Sequence, residues 1–276
     1  MTTTRTSGAG EWSPPVLGLG WVRYRLELKT FLRNREEVVF TLAFPLILLL
    51  LFGVGLNGEI ESTGVDFVQY FLAGMIASSA VSAGFISLSQ QVAIEQHDGT
   101  LKRLAGTPMS PVSYFIGKTG VVITAAAAQM VLLFVIGGLF YGVDLPRDAF
   151  GWLTMGWVMV LGLAASSFLG ISITRMVDDP RAAAAVAQPP ALVLQFISGV
   201  FFLFSGLPVW LQNVASLFPL RWMTLGLRSV LLPDGFKAAE TAGDWQRTKV
   251  FVVLAIWTLG AGILARRTFR WSSRDE

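Results

Sequence analysis

Apolar residues run along this chain in long, nearly uncharged blocks, parted by short segments where charges, glycines and prolines collect. A helix needs about 20 apolar residues to cross a bilayer. Six blocks approach or pass that length, at roughly 38–56, 68–92, 114–140, 150–174, 182–204 and 250–266. Before them, residues 17–36 carry a helical period instead. Trp21, Tyr24, Leu28, Phe31 and Leu32 share one face, and Arg23, Lys29 and Arg33 fall towards the other. This pattern predicts an amphipathic helix lying in the membrane interface. The Thr-, Ser-, Gly- and Pro-rich residues 1–15 are expected to be disordered.

Punctuation refines the blocks. Ser110-Pro111 and Asp179-Pro180 are cap-then-proline starts for the third and fifth spans. Pro45 should kink the first span, and Pro189-Pro190 should bend the fifth. Gly162, Ser166 and Gly170 form a small-residue face in the fourth span, as do Gly74, Ser78 and Ser82 in the second; such faces let helices approach closely. Between the fifth and sixth spans, Pro208 opens a short apolar helix and Pro219 another. On the second, Arg221, Thr224 and Arg228 make a polar stripe. Neither is long enough to span, so residues 205–232 read as a re-entrant hairpin or as two helices lying flat on the surface.

The fold class is therefore an all-α integral membrane protein. Its parts are the interface helix (16–37), a six-span domain (38–266) containing a loop at 94–113 and the hairpin, and a tail (267–276). Composition agrees: 53% of the 276 residues are apolar, 14% are charged, and the mean hydropathy is +0.60. Soluble domains carry about 25% charged residues. The net charge of +3 does not point to nucleic acid, because the basic residues flank the spans. Arg5, Arg23, Arg25, Lys29, Arg33, Arg35, Lys102, Arg103, Lys118, Arg175, Arg181, Arg266, Arg267, Arg270 and Arg274 all fall on one side of a six-span chain. Glu59, Glu61, Asp66, Asp144, Arg147 and Asp148 face them. Basic short loops stay inside, which puts both termini in the cytoplasm. The loop at 205–249 strains this rule with Arg221, Arg228, Lys237, Arg247 and Lys249.

Candidate chemistry is sparse. The chain has no cysteine and a single histidine, His97, so neither a disulfide nor a multi-histidine metal site can form. Gly117-Lys118-Thr119 imitates the end of a phosphate loop, but Val112 stands where its first glycine belongs and no strand precedes it. Lys118 is read as a topology residue. Ser166 and Ser167 have no intramembrane base to activate them. The spans hold neutral Gln129, Gln188 and Gln195 rather than the buried charges typical of ion-coupled carriers. A transporter of this kind needs energy from another chain.

Two segments carry a family resemblance. EQHDGTLKRLAGTPMSPVSYFIGK, residues 95–118, resembles the first cytoplasmic loop of ABC-2 type transport permeases at Glu95, Gly99-Thr100-Leu101, Arg103-Leu104, Thr107-Pro108 and Gly117-Lys118. Asp98 stands where glutamate is common. Ser205-Gly206-Leu207-Pro208, Trp210-Leu211, Pro219-Leu220 and Leu227-Arg228 resemble the outer segment of the same family, in its daunorubicin-resistance-like branch. The resemblance implies a permease subunit with no ATPase of its own, binding no cofactor. ATP and Mg would sit on two copies of a separate ABC ATPase, and a second permease copy or paralogue would complete the exporter within the membrane lipids. Glu95, Asp98, Gly99, Thr100, Leu101, Lys102, Arg103 and Leu104 would form the coupling segment, flanked by Arg23, Lys29 and Arg33. Gln195, Phe196, Phe201 and Phe202 would border a substrate path under an outer hairpin marked by Pro208, Trp210, Pro219 and Arg221. The rival readings are an ion-coupled or facilitative carrier and an intramembrane enzyme. Missing intramembrane charges weigh against the first, and a missing nucleophile and base against the second.

Overall fold

The computed structural model describes residues 15–55, 58–60, 63–146, 148–176 and 180–269. Arg5, Glu61, Arg147, Asp179, Arg270, Arg274, the expected disorder of residues 1–14 and most of the tail lie outside the described residues, as does the side chain of Arg181. The described chain is almost entirely helical. Its order is α1 (Val16–Arg33), α2 (Arg35–Gly55), a two-stranded antiparallel hairpin of β1 (Glu59–Ile60) and β2 (Val65–Asp66), α3 (Phe67–Val81), a π-helical segment (Ser82–Ser87), α4 (Leu88–His97), α5 (Thr100–Ala105), α6 (Pro111–Tyr141), α7 (Ala149–Ile173), α8 (Pro180–Ile197), α9 (Val209–Ala215), α10 (Pro219–Leu231) and α11 (Arg247–Thr268). The strand pair, with Glu59 opposite Asp66, has no signal in the hydrophobic pattern.

Five helical stretches among the described residues are long and apolar enough to cross a membrane: Arg35–Gly55, Phe67–His97, Pro111–Tyr141, Ala149–Ile173 and Arg247–Thr268. They match five of the six expected spans. The fifth expected span, 182–204, is shorter than predicted. α8 closes at Ile197, where the Ser198 amide bonds to the Leu194 carbonyl and Gly199 turns left-handed at φ 77°. A side chain at Gly199 would meet the Phe204 Cβ at 2.9 Å. At 1.5 Å per residue, the 18 residues of α8 reach about 27 Å, just short of a hydrocarbon core. Neither proline site interrupts its helix: α2 runs through Pro45, and α8 through Pro189-Pro190.

The helix continuing from α3 through the π segment into α4 is the centre of the bundle. In its most apolar window 72% of residues are buried, against 17% for α2 at the periphery. Lipid is as apolar as leucine, so close packing has to hold such helices together. The small-residue faces provide it. A Cβ on Gly170 would sit 2.6 Å from the Gly84 carbonyl oxygen, and one on Gly84 would meet Ser166 at 2.9 Å, so α7 and the π segment touch through backbone. Gly74 opposes the backbone of Val200, and Gly162 opposes Met223. α8 presents Ala183, Ala187 and Ala191 inward and leaves Val186, Leu192, Val193 and Phe196 exposed.

The bundle has two unlike ends. The near end gathers α1, the start of α2, the end of α4, α5, the start of α6 and the end of α11. The far end gathers the strand pair, the starts of α3, α7 and α11, and α10. α10 is buried nearly all round, between α3, α7 and α11. Its first turn lies deep: Met223 reaches Gly162, halfway along α7, and Trp257, midway along α11, donates to the Leu217 carbonyl at 3.0 Å. Its last turn lies shallow, where Arg247 donates to the Ser229 carbonyl at 2.5 Å.

Candidate functional site

The near-end loop grows out of α4. Past His97 the chain needs a sharp turn. Gly99 supplies it with φ 73°, and a side chain there would meet no neighbour, so the backbone conformation is what selects glycine. The Asp98 Oδ1 accepts the Thr100 amide at 2.8 Å and caps α5. Slight burial pushes the Asp98 carboxyl up, but the Thr100 hydroxyl and amide, with Arg103 and His97 nearby, together hold it below its ordinary value. Arg103 donates to the Thr100 hydroxyl at 3.0 Å. Leu101 is fully buried and Leu104 packs against the core, which pins α5 by one face. Lys102 and Arg103 stay exposed. Ser110 then caps α6 as predicted, accepting the Ser113 amide at 3.1 Å.

Behind the loop lies a buried cluster of four charges. The Glu95 carboxylate accepts from Arg23 at 2.7 Å, from Lys118 at 2.8 Å and from the Tyr114 hydroxyl at 2.7 Å. Glu27 pairs with Arg23 and accepts from Lys118 at 2.9 Å. Two cations face two carboxylates, so the cluster is neutral. It ties three elements distant in sequence: α1, the end of α4 and the first turns of α6.

This cluster corrects three expectations. Arg23 does not point away from the protein; it is 9% exposed and lies against Gly117, with Gly20, Tyr24 and Glu27 on the same packed face of α1. Trp21 and Leu32 of the apolar face are exposed, and so are Lys29 and Arg33. Lys118 is not a loop-flank charge but a buried one, 3% exposed. Glu95 turns inward, and Asp98 is engaged by its own turn. The physical reason is common to all three: a desolvated charge is tolerated when an opposite charge meets it, and those partners lie up to 91 residues away.

The other candidates are dispersed. Phe201 is buried, with ring centroids 4.9 Å from Phe196, 6.0 Å from Phe52 and 6.1 Å from Phe71. Phe196 and Phe202 are exposed, and Gln195 reaches Ser82 at 3.4 Å. Pro208 and Pro219 start α9 and α10 as predicted, and Trp210 is exposed. The polar stripe of α10 faces inward. Arg221 donates to Glu240 at 2.8 Å, its guanidinium lying 3.6 Å over the Phe204 ring. Arg228 donates to the Gly199 carbonyl, sits 3.5 Å over the Tyr70 ring and lies 3.7 Å from Glu240. Thr224 donates to the Ser198 carbonyl at 3.2 Å. Lys237 pairs with Asp234 at 2.8 Å. Glu240 and Asp234 thus offset part of the charge of the five basic residues that strained the charge rule.

Sequence reasoning missed Glu27, Tyr114 and Glu240. Two arginines on an otherwise apolar helix signal a buried acid, and Glu240 lies in the adjoining loop.

Residues 58–267 match the profile of the ABC-2 family transporter protein. A 174-residue stretch is 28% identical to the probable multidrug ABC transporter permease YbhR of Escherichia coli strain K12, and equally to the protein of that name in Escherichia coli O157:H7. It makes up 62% of this chain and 45% of either relative, so the chain spans less than half the length of the curated relatives it matches. The matched profile takes in both the loop at the near end and the buried arginines at the far end: this chain belongs to the ABC-2 family of transporter proteins.

Proposed function

We propose that the chain is the membrane subunit of an ATP-driven exporter, multi-pass in a bacterial plasma membrane, moving an amphipathic or hydrophobic compound outward. Family membership carries this reading, and the relatives' description as a multidrug permease favours that class of substrate. ATP and Mg are handled by two copies of a separate ABC ATPase, and this chain holds neither. The near end is cytoplasmic, as its basic residues favour. α8 with the stretch to Leu203 makes the sixth crossing, and the exposed sides of α8 and α2 meet a second permease. The α9–α10 pair is a re-entrant hairpin. Its support is depth: the turn's Leu217 carbonyl accepts from Trp257, midway along α11, and Met223, in the second turn of α10, lies against Gly162, halfway along α7.

In this reading α5 is the element that docks on the ATPase. Lys102 and Arg103 are its contact residues, because they are the charges it leaves exposed. Glu95 acts from behind, fixing the loop to α1 and α6. The test is co-purification of the chain with its ATPase, alongside ATP hydrolysis in the reconstituted complex. A Lys102→Glu, Arg103→Glu double variant should reach the membrane at wild-type level and lose most of the bound ATPase. Wild-type binding by that variant would remove α5 from the interface.

A further inference from the structure

The far-end cluster leaves positive charge over. Arg221 and Arg228 share one carboxylate, Glu240, and none of the three is more than 5% exposed. Hydrogen bonding does not exhaust them: the Nη1 of Arg221 and the Nε and Nη1 of Arg228 have no hydrogen-bond partner, against one such oxygen, Oε1 of Glu240, which Arg228 approaches only to 3.7 Å. Leaving a buried guanidinium partly unpaired is costly, so such a group draws an anion.

Arg221 and Glu240 both line a far-end cleft of about 250 Å³, together with Phe204, Trp222, Asp244 and Lys249, while Arg228 lies behind it. Lys249 stands on the first turn of α11. Its ammonium lies 5.2 Å from the centroid of the Trp222 ring rather than on a carboxylate. Asp244 accepts the Gln246 amide at 3.4 Å. The cleft and the cluster behind it therefore set three cations, Arg221, Arg228 and Lys249, against two carboxylates, Glu240 and Asp244. Sites for drug-sized ligands begin near 300 Å³. This cleft is smaller and suits a headgroup rather than a whole amphiphile.

We propose that this cleft binds a phosphate-type anionic headgroup between Arg221 and Lys249, over the Trp222 indole. Guanidinium and ammonium donors are the chemistry that phosphate oxygens select. The site involves no transport step and stands apart from the exporter reading.

The full chain, purified in a neutral detergent, should be titrated with dihexanoyl phosphatidylglycerol, with zwitterionic dihexanoyl phosphatidylcholine and with inorganic phosphate, reading the thermal unfolding midpoint. Phosphatidylglycerol should raise the midpoint saturably and phosphatidylcholine should not. Lys249→Gln changes an exposed side chain and leaves the fold alone. It should weaken the half-saturating concentration up to roughly fivefold, the scale of one solvent-accessible ion pair. Asp244→Asn should tighten it. An equal response to inorganic phosphate supports the site with a free anion as its occupant; a response to the lipid alone supports it with a lipid. No saturable shift with either anion, or an unchanged titration in Lys249→Gln, overturns the proposal.

Discussion

At the scale of single residues, Glu95 carries the most weight. It accepts from Arg23, Lys118 and Tyr114 at once, and its side chain is 15% exposed. Glu95→Gln would leave two cations sharing Glu27 alone. Removing one member of a buried ion pair costs about 3–5 kcal/mol. A Glu95→Gln variant should therefore show a clearly lower thermal midpoint in detergent, whereas Glu37→Gln at the exposed start of α2 should not. Equal midpoints would mean that water reaches the cluster and screens it. The sequence displayed all four charges and the motif around Glu95, but not their pairing. Arg23 and Glu95 lie 72 residues apart, and nothing local in either segment names the other. The direction a side chain faces on a short amphipathic helix depends on what it packs against. That is why Arg23 read with Lys29 and Arg33 as part of one outward basic face.

At the scale of elements, the small-residue faces were legible because the four-residue spacing of Gly162, Ser166 and Gly170 is itself the contact surface. Gly170 allows α7 to lie against the π segment with no side chain between them. Gly170→Val should force the two apart. Overpacking costs about 1–3 kcal/mol, so the variant should unfold earlier on heating. Gly156→Ala, on the same helix with open space around it, should be neutral or slightly stabilising, because alanine is the better helix former; a loss as large as that of Gly170→Val would take the effect away from the Gly170 contact. The early end of α8 was not legible. The apolar run continues unbroken from Val200 to Phe204, and only the left-handed Gly199 beneath Arg228 and Phe204 explains why the helix stops.

At the scale of the whole molecule, the basic residues flanking the spans carry the orientation proposed above, with the 205–249 segment as its weak point. Folding eases that weakness in part, because Glu240 and Asp234 pair with Arg221, Arg228 and Lys237. With the near end cytoplasmic, a Lys102→Cys variant should resist a membrane-impermeant thiol reagent in sealed cells, and a Thr63→Cys variant should react. The chain carries no cysteine, so each signal comes from one site, and the reverse pattern would invert the topology. The π-helical stretch from Ser82 to Ser87 has a further consequence for how the two ends are keyed together. A π turn accommodates one residue beyond the α-helical count, and each residue of an α-helix advances the face by about 100°. The segment therefore takes up one surplus residue and keeps the faces above and below it in phase. Tyr70 and Gly74 above it aim at the far-end arginines and Val200, while Gln91 and Glu95 below it aim at Lys118. Deleting Ala83 would leave a regular α-helix with Glu95 still aimed at Lys118, whereas adding one alanine between Leu88 and Ser89, where no π turn takes it up, would rotate the lower half by about 100° and swing Glu95 away. The insertion should match the thermal loss of Glu95→Gln and the deletion should not, which makes this helical rod tolerant of one surplus residue and of no second.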